Sequence, residues 1–482
     1  METTLQAPAE KKSVLFDNSA ILRDLKKRTI GGASITFISQ AVKFTVRTGT
    51  TAVMARILVP ADFGLIGMVT VVTGIADLFK DGGLSLATVQ RKDIEHEQIS
   101  NLFWINISIS AVLMLILLVV APGVSWFYRE PRLTWIVVAF AFNMFLSGFG
   151  AQHQALLRRN MKFGRLAFID ISSLLCGSAT GLWMARHGYH YWALVGMIIV
   201  TSFVVIVSSY TVSGWMPGLP SRRSSVRSMV NYGAFVTGSA FVSHFSRNGD
   251  NMLIGWRWGS AALGQYSRAY ALLLQPWQQI LSPMASIIEP GLCRLSDQPE
   301  RFRRYYQRSL QAAGLVSFPL TVIAFLNAKL LVGLLLGSQW GEAVNIFQCL
   351  APAALIGGVR TANGWLLFPS GRANLMLKWT YFTTAVAVGG FVIGLPFGAL
   401  GVATSLSITD TLMFVIGIYY ATHKFYISAA DVFKAIMTPI FGTLAGLLAA
   451  GVAGAYPLWV QTVSFVIVYA VTSGILSRVN RL

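Results

Sequence analysis

Residues 43–55 read KFTVRTGTTAVMA, and Lys43 and Arg47 stand one helical turn apart in a stretch, about 30–58, that is otherwise apolar, small or uncharged. A cation held at the centre of a bilayer costs roughly 2.5–3.5 kcal/mol on insertion scales. Thr36, Gln40, Lys43, Arg47 and Thr50 recur at spacings of three and four, so a helix places them on one face. Ser239, Ser243, Arg247 and Asp250 do the same two hundred residues later. Arg268 and Arg360 add two further cations, and Asp77, Asp170, Asp250 and Asp410 are the acids within or near apolar stretches. Charges at this depth face a protein interior or a watery cavity. Each has a structural reading. Arg247 and Asp250, one turn apart, can neutralise each other, Asp77 and Asp170 can serve nearby arginines, and Arg268 and Arg360 can snorkel to an interface. Lys43 and Arg47 repel each other and have no acid on their own segment. They suit an anionic ligand, because guanidinium grips phosphate oxygens in pairs.

The elements that must hold these residues follow from composition. The chain has 482 residues, of which 54% are hydrophobic and 12% charged, with a mean hydropathy of +0.60. That charged share is about half the soluble norm. Apolar runs of 18 residues or more recur along the chain, each long enough to cross hydrocarbon. The expectation is an all-α polytopic membrane protein of about fourteen transmembrane helices. They fall near 30–57, 62–82, 99–121, 133–152, 164–185, 191–212, 229–256, 263–289, 308–327, 342–368, 375–395, 400–421, 432–454 and 457–476. The second, eighth and tenth are the most polar of them, carrying Asp77, Arg268 and Arg360.

Orientation comes from Lys and Arg. With the N-terminus cytoplasmic, 27 of them fall in inside segments and six in outside loops, a strong positive-inside bias. Both termini are therefore expected in the cytoplasm. Residues 1–28 read as a cytoplasmic tail with a short surface helix around 17–27. They lack the apolar core and cleavage site of a signal peptide. The same distribution argues against nucleic acid as the partner of a chain with net charge +19, since no nucleic-acid-binding motif accompanies the charge. The basic segment CRLSDQPERFRRYYQRS (293–309) fits either an interfacial helix on an anionic leaflet or an ordinary positive-inside loop. Cys176, Cys293 and Cys349 lack CxxC spacing and read as small core residues.

Sliding the chain by 200 residues aligns 39–64 with 239–264, matching Ser39 to Ser239, Arg47 to Arg247, Gly49 to Gly249, Ala61 to Ala261 and Gly64 to Gly264. Both stretches open a block of six expected helices. The plan is an N-lobe over 29–212, a cytoplasmic linker over 213–228 and a C-lobe over 229–421. Two extra helices follow over 432–476, then a cytoplasmic end over 477–482. Two such six-helix lobes are expected around a central cavity, since internal repeats in transporters place the substrate site at their interface.

The stretch ARILVPADFGLIGMVTVVTGIADLFKDGGLSLATVQR (55–91), the basic loop ALLRRNMKFGRLAFIDISS (155–173) and LGQYSRAYALLLQP (263–276) resemble polysaccharide flippases of the Wzx type. The resemblance is to the colanic-acid and succinoglycan exporter branch of the multidrug/oligosaccharidyl-lipid/polysaccharide superfamily. It implies transport of an undecaprenyl-diphosphate-linked oligosaccharide repeat unit, of exopolysaccharide or lipopolysaccharide type, across the bacterial inner membrane by alternating access. The polysaccharide polymerase machinery is an implied partner. Lys43, Arg47 and Arg247, with Arg268 and Arg360 behind them, would bind the diphosphate or acidic sugars, and Asp77, Asp170, Asp250 and Asp410 would couple transport to protons or cations.

Three other transporters or enzymes remain alternatives. A peptidoglycan-precursor flippase shares the cationic logic. A cation-coupled multidrug exporter would want acids and aromatics where Lys43 and Arg47 stand. A membrane-embedded polymerase or ligase needs large external loops or paired carboxylates, whereas the outer loops offer Asp62, Glu130 and Glu342 singly. Nothing resembles a metal site, a nucleophilic triad or a phosphate-cradling loop, DGGLS (81–85) included, so no cofactor and no catalytic residue is expected.

Overall fold

The computed structural model describes residues 25–80, 85, 88–89, 94–220, 227–367, 373–422 and 427–479. The part of the expected surface helix before Leu25 and most of DGGLS lie outside these. Among the described residues the secondary structure is helical throughout. In chain order they are α1 Leu25–Ile57, α2 Pro60–Lys80, α3 His96–Tyr128, α4 Arg132–Gly148, α5 Ala151–Arg159, α6 Phe163–Arg186 and α7 Tyr191–Ser213. There follow α8 Arg227–Arg294, α9 Pro299–Leu326, α10 Ala328–Leu335, α11 Gly341–Leu367, α12 Ala373–Gly394, α13 Gly398–Thr422, α14 Ala429–Val452 and α15 Leu458–Val479.

End residues aside, each of the fourteen expected segments is helical over its described residues, save for the break at Phe149 and Gly150 in the fourth. Among the described residues, nine stretches are long and apolar enough to cross a membrane, or ten if α4 and α5, bent by 42°, count as one span. These nine or ten stretches leave the expected count of fourteen unconfirmed. Lys378–Tyr420 reads as one stretch across α12 and α13, and neither α1 nor α8 is among the nine. Those two helices carry Lys43, Arg47, Arg247 and Arg268, which lower their hydropathy.

The boundaries also moved. The basic segment after the fourth span is not all loop, because helix resumes at Ala151 and runs to Arg159. The segment 293–309 closes α8 at Arg294 and turns over 295–298. From Pro299 it is the first part of α9, whose Phe302, Tyr306 and Leu310 are buried. The three cysteines are free thiols, and Cys176 and Cys293 are exposed, which corrects their reading as core residues. A thiol on a membrane helix can face lipid at little cost.

The chain divides into two compact units, one comprising the residues up to His244 with Gly259–Ala261, the other Phe245–Trp258 with everything from Ala262. In the first, α6 lies along α7, α3 along α4, and α1 along α6. Gly177 and Gly181, one turn apart on α6, let the backbone of α7 approach. A Cβ at Gly177 would lie 1.9 Å from Thr201 Oγ1, the small-residue contact typical of membrane helices. In the second unit α13 touches both α11 and α12, and α9 touches α11 and α14. The pair α14–α15 is fastened to α9 by Tyr469, whose hydroxyl donates to Leu315 O at 3.1 Å, and by Asn327 Nδ2 donating to Thr462 Oγ1 at 3.0 Å.

α8 is two arms joined at Gly259, whose φ of 81° and ψ of −175° are costly for any residue with a Cβ. This corner divides the expected seventh and eighth segments. Within the first unit it also meets α2, where a Cβ on Gly64 would lie 1.7 Å from Ser260 O.

After α7 the chain forms a strap, 214–220, laid over the start of α3. Trp215 is buried with Ile94, Ile99, Leu102, Phe103 and Leu156. Its Nε1 donates to His96 Nδ1 at 3.1 Å. Gly218 N donates to Ser100 Oγ at 2.9 Å, and Trp104 Nε1 donates to Gly218 O at 2.9 Å. Beneath the strap, His153 Nδ1 is 2.9 Å from Ser213 Oγ.

Candidate functional site

In the first unit, α1 presents Thr36, Gln40 and Arg47 as exposed residues, Lys43 as half-buried and Thr50 as buried. Lys43 Nζ donates to Asp170 Oδ2 of α6 at 2.7 Å, with side-chain exposures of 23% and 38%. The anion that two neighbouring cations demand is therefore supplied, once, by the helix packed alongside. Asp170 serves the lysine and not an arginine. Arg47, one turn further on, makes no ion pair with any described residue. Two positive charges share one counter-ion.

Asp77 stands at the end of α2, where its Oδ1 accepts from Lys80 Nζ at 3.1 Å, three residues away on the same helix. The pair is exposed and local, and its partner again is not an arginine. Asp62, named as an outer-loop acid, is buried at the start of α2 and accepts from Val59 N at 3.3 Å. Glu130 is bound through both oxygens by Arg132 Nε and Nη2, each at 2.8 Å. That grip holds its carboxyl below the usual glutamate range. Glu342 stands in the first turn of α11.

The corner at Gly259 folds the two arms of α8 so that Asp250 and Tyr266, both of the second unit, meet. The Tyr266 hydroxyl donates to Asp250 Oδ2 at 2.7 Å, and Asn251 N donates to Oδ1 at 2.8 Å. Asp250 is thus held by a phenol and an amide instead of by Arg247, which is exposed. Arg360 on α11 and Asp410 on α13 face each other at 3.6 Å, with exposures of 48% and 18%. Arg360 therefore has a carboxylate partner and does not merely snorkel. Tyr270 stands one turn beyond Tyr266, with ring centroids 6.1 Å apart. It lies within electrostatic reach of Asp250, Asp410, Arg360 and Arg247. Arg268 is half-buried on the second arm of α8. The side chain of Ser239 lies outside the described residues.

Tyr266 and Tyr270 are the residues that charge-based reasoning passed over. Both lie inside LGQYSRAYALLLQP, and their spacing of four puts them on one helix face. A carboxylate hydrogen-bonded to a phenol among packed helices is chemically able to hold or release a proton. Among the described residues, no group of three or more His, Cys, Asp or Glu is arranged to hold a metal ion.

Residues 53–345 match the family model described as "Polysaccharide biosynthesis protein". The lipopolysaccharide biosynthesis protein WzxC of Escherichia coli K12 is 23% identical over 385 residues, covering 78% of this chain and 77% of that protein. The teichuronic acid biosynthesis protein TuaB of Bacillus subtilis 168 is 26% identical over 437 residues, 89% of each chain. Among solved structures, the lipid II flippase MurJ in an inward closed conformation superposes with a TM-score of 0.74. It is 12% identical, and the match covers 94% of this chain and 100% of that one.

Proposed function

The chain belongs to the polysaccharide biosynthesis protein family, and from that premise we propose that it is a flippase for undecaprenyl-diphosphate-linked oligosaccharide repeat units. It resides in the bacterial inner membrane with both termini in the cytoplasm, and it moves its substrate to the opposite leaflet by alternating access. Lys43 and Arg47 of α1 and Arg247 of α8 bind the diphosphate or acidic sugars during passage, with Arg268 and Arg360 in support. None of them breaks a covalent bond, so the protein acts as a transporter and not an enzyme, and it hands the unit to a polymerase outside.

One observation carries this reading: α1, a helix of membrane length, bears two cations one turn apart and a single counter-ion, Asp170. A second cation left without an anion in hydrocarbon would cost roughly 2.5–3.5 kcal/mol. A passing diphosphate, matched to guanidinium by paired hydrogen bonds, offsets that cost. Of the four acids, Asp250 and Asp410 are assigned to ion coupling. Asp170 acts as the counter-ion of Lys43, and Asp77 is engaged with Lys80.

A flippase for the peptidoglycan precursor would share the fold and the cation logic, and family membership favours the polysaccharide substrate. The test is Lys43→Ala, Arg47→Ala and Arg247→Ala, singly, in cells lacking the wild-type chain. With membrane insertion intact, complete lipid-linked repeat units should accumulate on the cytoplasmic leaflet and polymer export should fall at least tenfold, the loss of about 1.4 kcal/mol of substrate binding. Unchanged export would defeat the assignment of the cations, and unextended units on the outer leaflet would point to a polymerase.

A further inference from the structure

α9 begins with a cluster of four arginines, and the structure separates them by role. Phe302, Tyr306 and Leu310 are at most 3% exposed and fix the register of the helix. That register turns Arg303 toward Asp431 of α14, with which it pairs, while Gln307 Nε2 donates to the same Oδ1 at 2.9 Å. Asp431 is also the N3 member of the capping box that opens α14, accepting from the N-cap Ser428 N at 2.9 Å. Arg301, Arg304 and Arg308 are left on the opposite side, all exposed. With Phe302 and Tyr306 buried and Arg303 tied, this face cannot roll inward.

The same row of positions continues up the helix at steps of four. After Arg308 come Ala312, Val316 and Leu320, each exposed, with Val316 at 38% and Leu320 at 44%. One face thus changes from guanidinium to alkyl between residues 308 and 312. That is the sequence of surroundings met by a helix leaving the headgroup layer for hydrocarbon. From Arg301 to Arg308 the rise is roughly 10 Å at 1.5 Å per residue, close to the depth of one headgroup layer, about 5–8 Å. Arg301 also sits in the first turn of α9, where the helix dipole opposes positive charge. Glu300 offsets one of the arginines. The remaining excess calls for anions from outside the protein.

We propose that Arg301, Arg304 and Arg308 form a docking ridge for the phosphodiester headgroups of anionic phospholipids in the leaflet around the start of α9. The occupant is lipid because the ridge runs without interruption into a row of exposed alkyl side chains. Arg304 Nε already bonds Glu300 O at 3.4 Å and Arg301 Nη1 bonds Gln298 Oε1 at 2.9 Å, so part of each guanidinium is braced while its other donors remain available.

The experiment uses the full chain purified in neutral detergent and offered equimolar phosphatidylglycerol and phosphatidylcholine, with retained lipids counted by native mass spectrometry. The wild type should enrich phosphatidylglycerol, and R301Q/R304Q/R308Q should lose that enrichment, by up to about fivefold per arginine. The triple Arg→Lys variant should keep most of it, and raising the salt should erode it. A control triple, R56Q/R186Q/R257Q, removes equal charge elsewhere and should leave enrichment unchanged. The proposal is overturned if the first triple retains wild-type enrichment, or if the control lowers it as much. Should the first triple fail to insert, Arg304→Gln alone is read the same way, and unchanged enrichment there overturns the proposal.

Discussion

Two stretches two hundred residues apart, 39–64 and 239–264, begin from one pattern and handle buried charge in different ways. In the first unit the cation at position 43 is paired across helices with an acid that is itself 38% exposed. At the equivalent position of the second stretch, 243, stands a serine. The acid instead stands at 250, opposite Thr50 of the first, is 3% exposed and is held by a phenol. One unit keeps a partly wet ion pair with a spare cation. The other keeps a dry carboxylate with neutral partners, beside the looser Arg360–Asp410 pair. The lesson is that a shared helix plan does not impose a shared charge chemistry. The first arrangement leaves its charges within reach of solvent, and the second holds a carboxyl group away from water.

The comparison breaks first at Tyr266. Tyr266→Phe removes a hydrogen bond from a buried carboxylate and should destabilise the protein by about 1.5–3 kcal/mol, read as a lower unfolding temperature in detergent. Asp250→Asn, which keeps an acceptor for the phenol, should cost less. If Tyr266→Phe is silent, the two units do not differ as described. The Lys43–Asp170 pair should be weaker. A double-mutant cycle with Lys43→Met and Asp170→Asn should give a coupling of about 1 kcal/mol or less, as for other partly exposed pairs. A coupling of several kcal/mol would make it a buried pair like those of a dry core. The smallest effect is expected outside the helices, at Glu130. Arg132 holds its folded carboxyl below the ordinary range, so its contribution is present above the unfolded pKa and is lost as pH falls through the folded one. Glu130→Gln should therefore remove a stability change of no more than about 1 kcal/mol at acid pH, seen by comparing thermal melts across that range.

The helices were legible because hydrocarbon admits few alternatives to an apolar run closed on its own hydrogen bonds. The cations were legible for the same reason, since a charge inside such a run has few structural excuses. Their partners were not. Asp170 is 127 residues from Lys43, and which acid serves which cation depends on helix rotation and neighbour, neither of which appears as spacing. The reading of Arg247 with Asp250 as a local pair failed because it considered one helix. The corner at Gly259 brings a second arm alongside and offers Asp250 the phenol of Tyr266. The short helix Ala151–Arg159 was missed because the fourth segment was drawn through Gly148-Phe149-Gly150 to 152, and the basic residues beyond it, Arg158 and Arg159, read as loop. The four arginines of α9 look alike in sequence, and only the burial of Phe302, Tyr306 and Leu310 decides that Arg303 turns one way and the other three another.

The strap over α3 has a mechanical consequence. Between Ser213 and Pro220 the chain is clamped by a buried indole and three hydrogen bonds onto His96, Ser100 and Trp104. Tension arriving along the polypeptide from residue 221 onward is therefore grounded in the first turns of α3, and α7 is relieved of it. A lever anchored in this way moves or resists with the helix it is tied to, whichever helix precedes it in the chain.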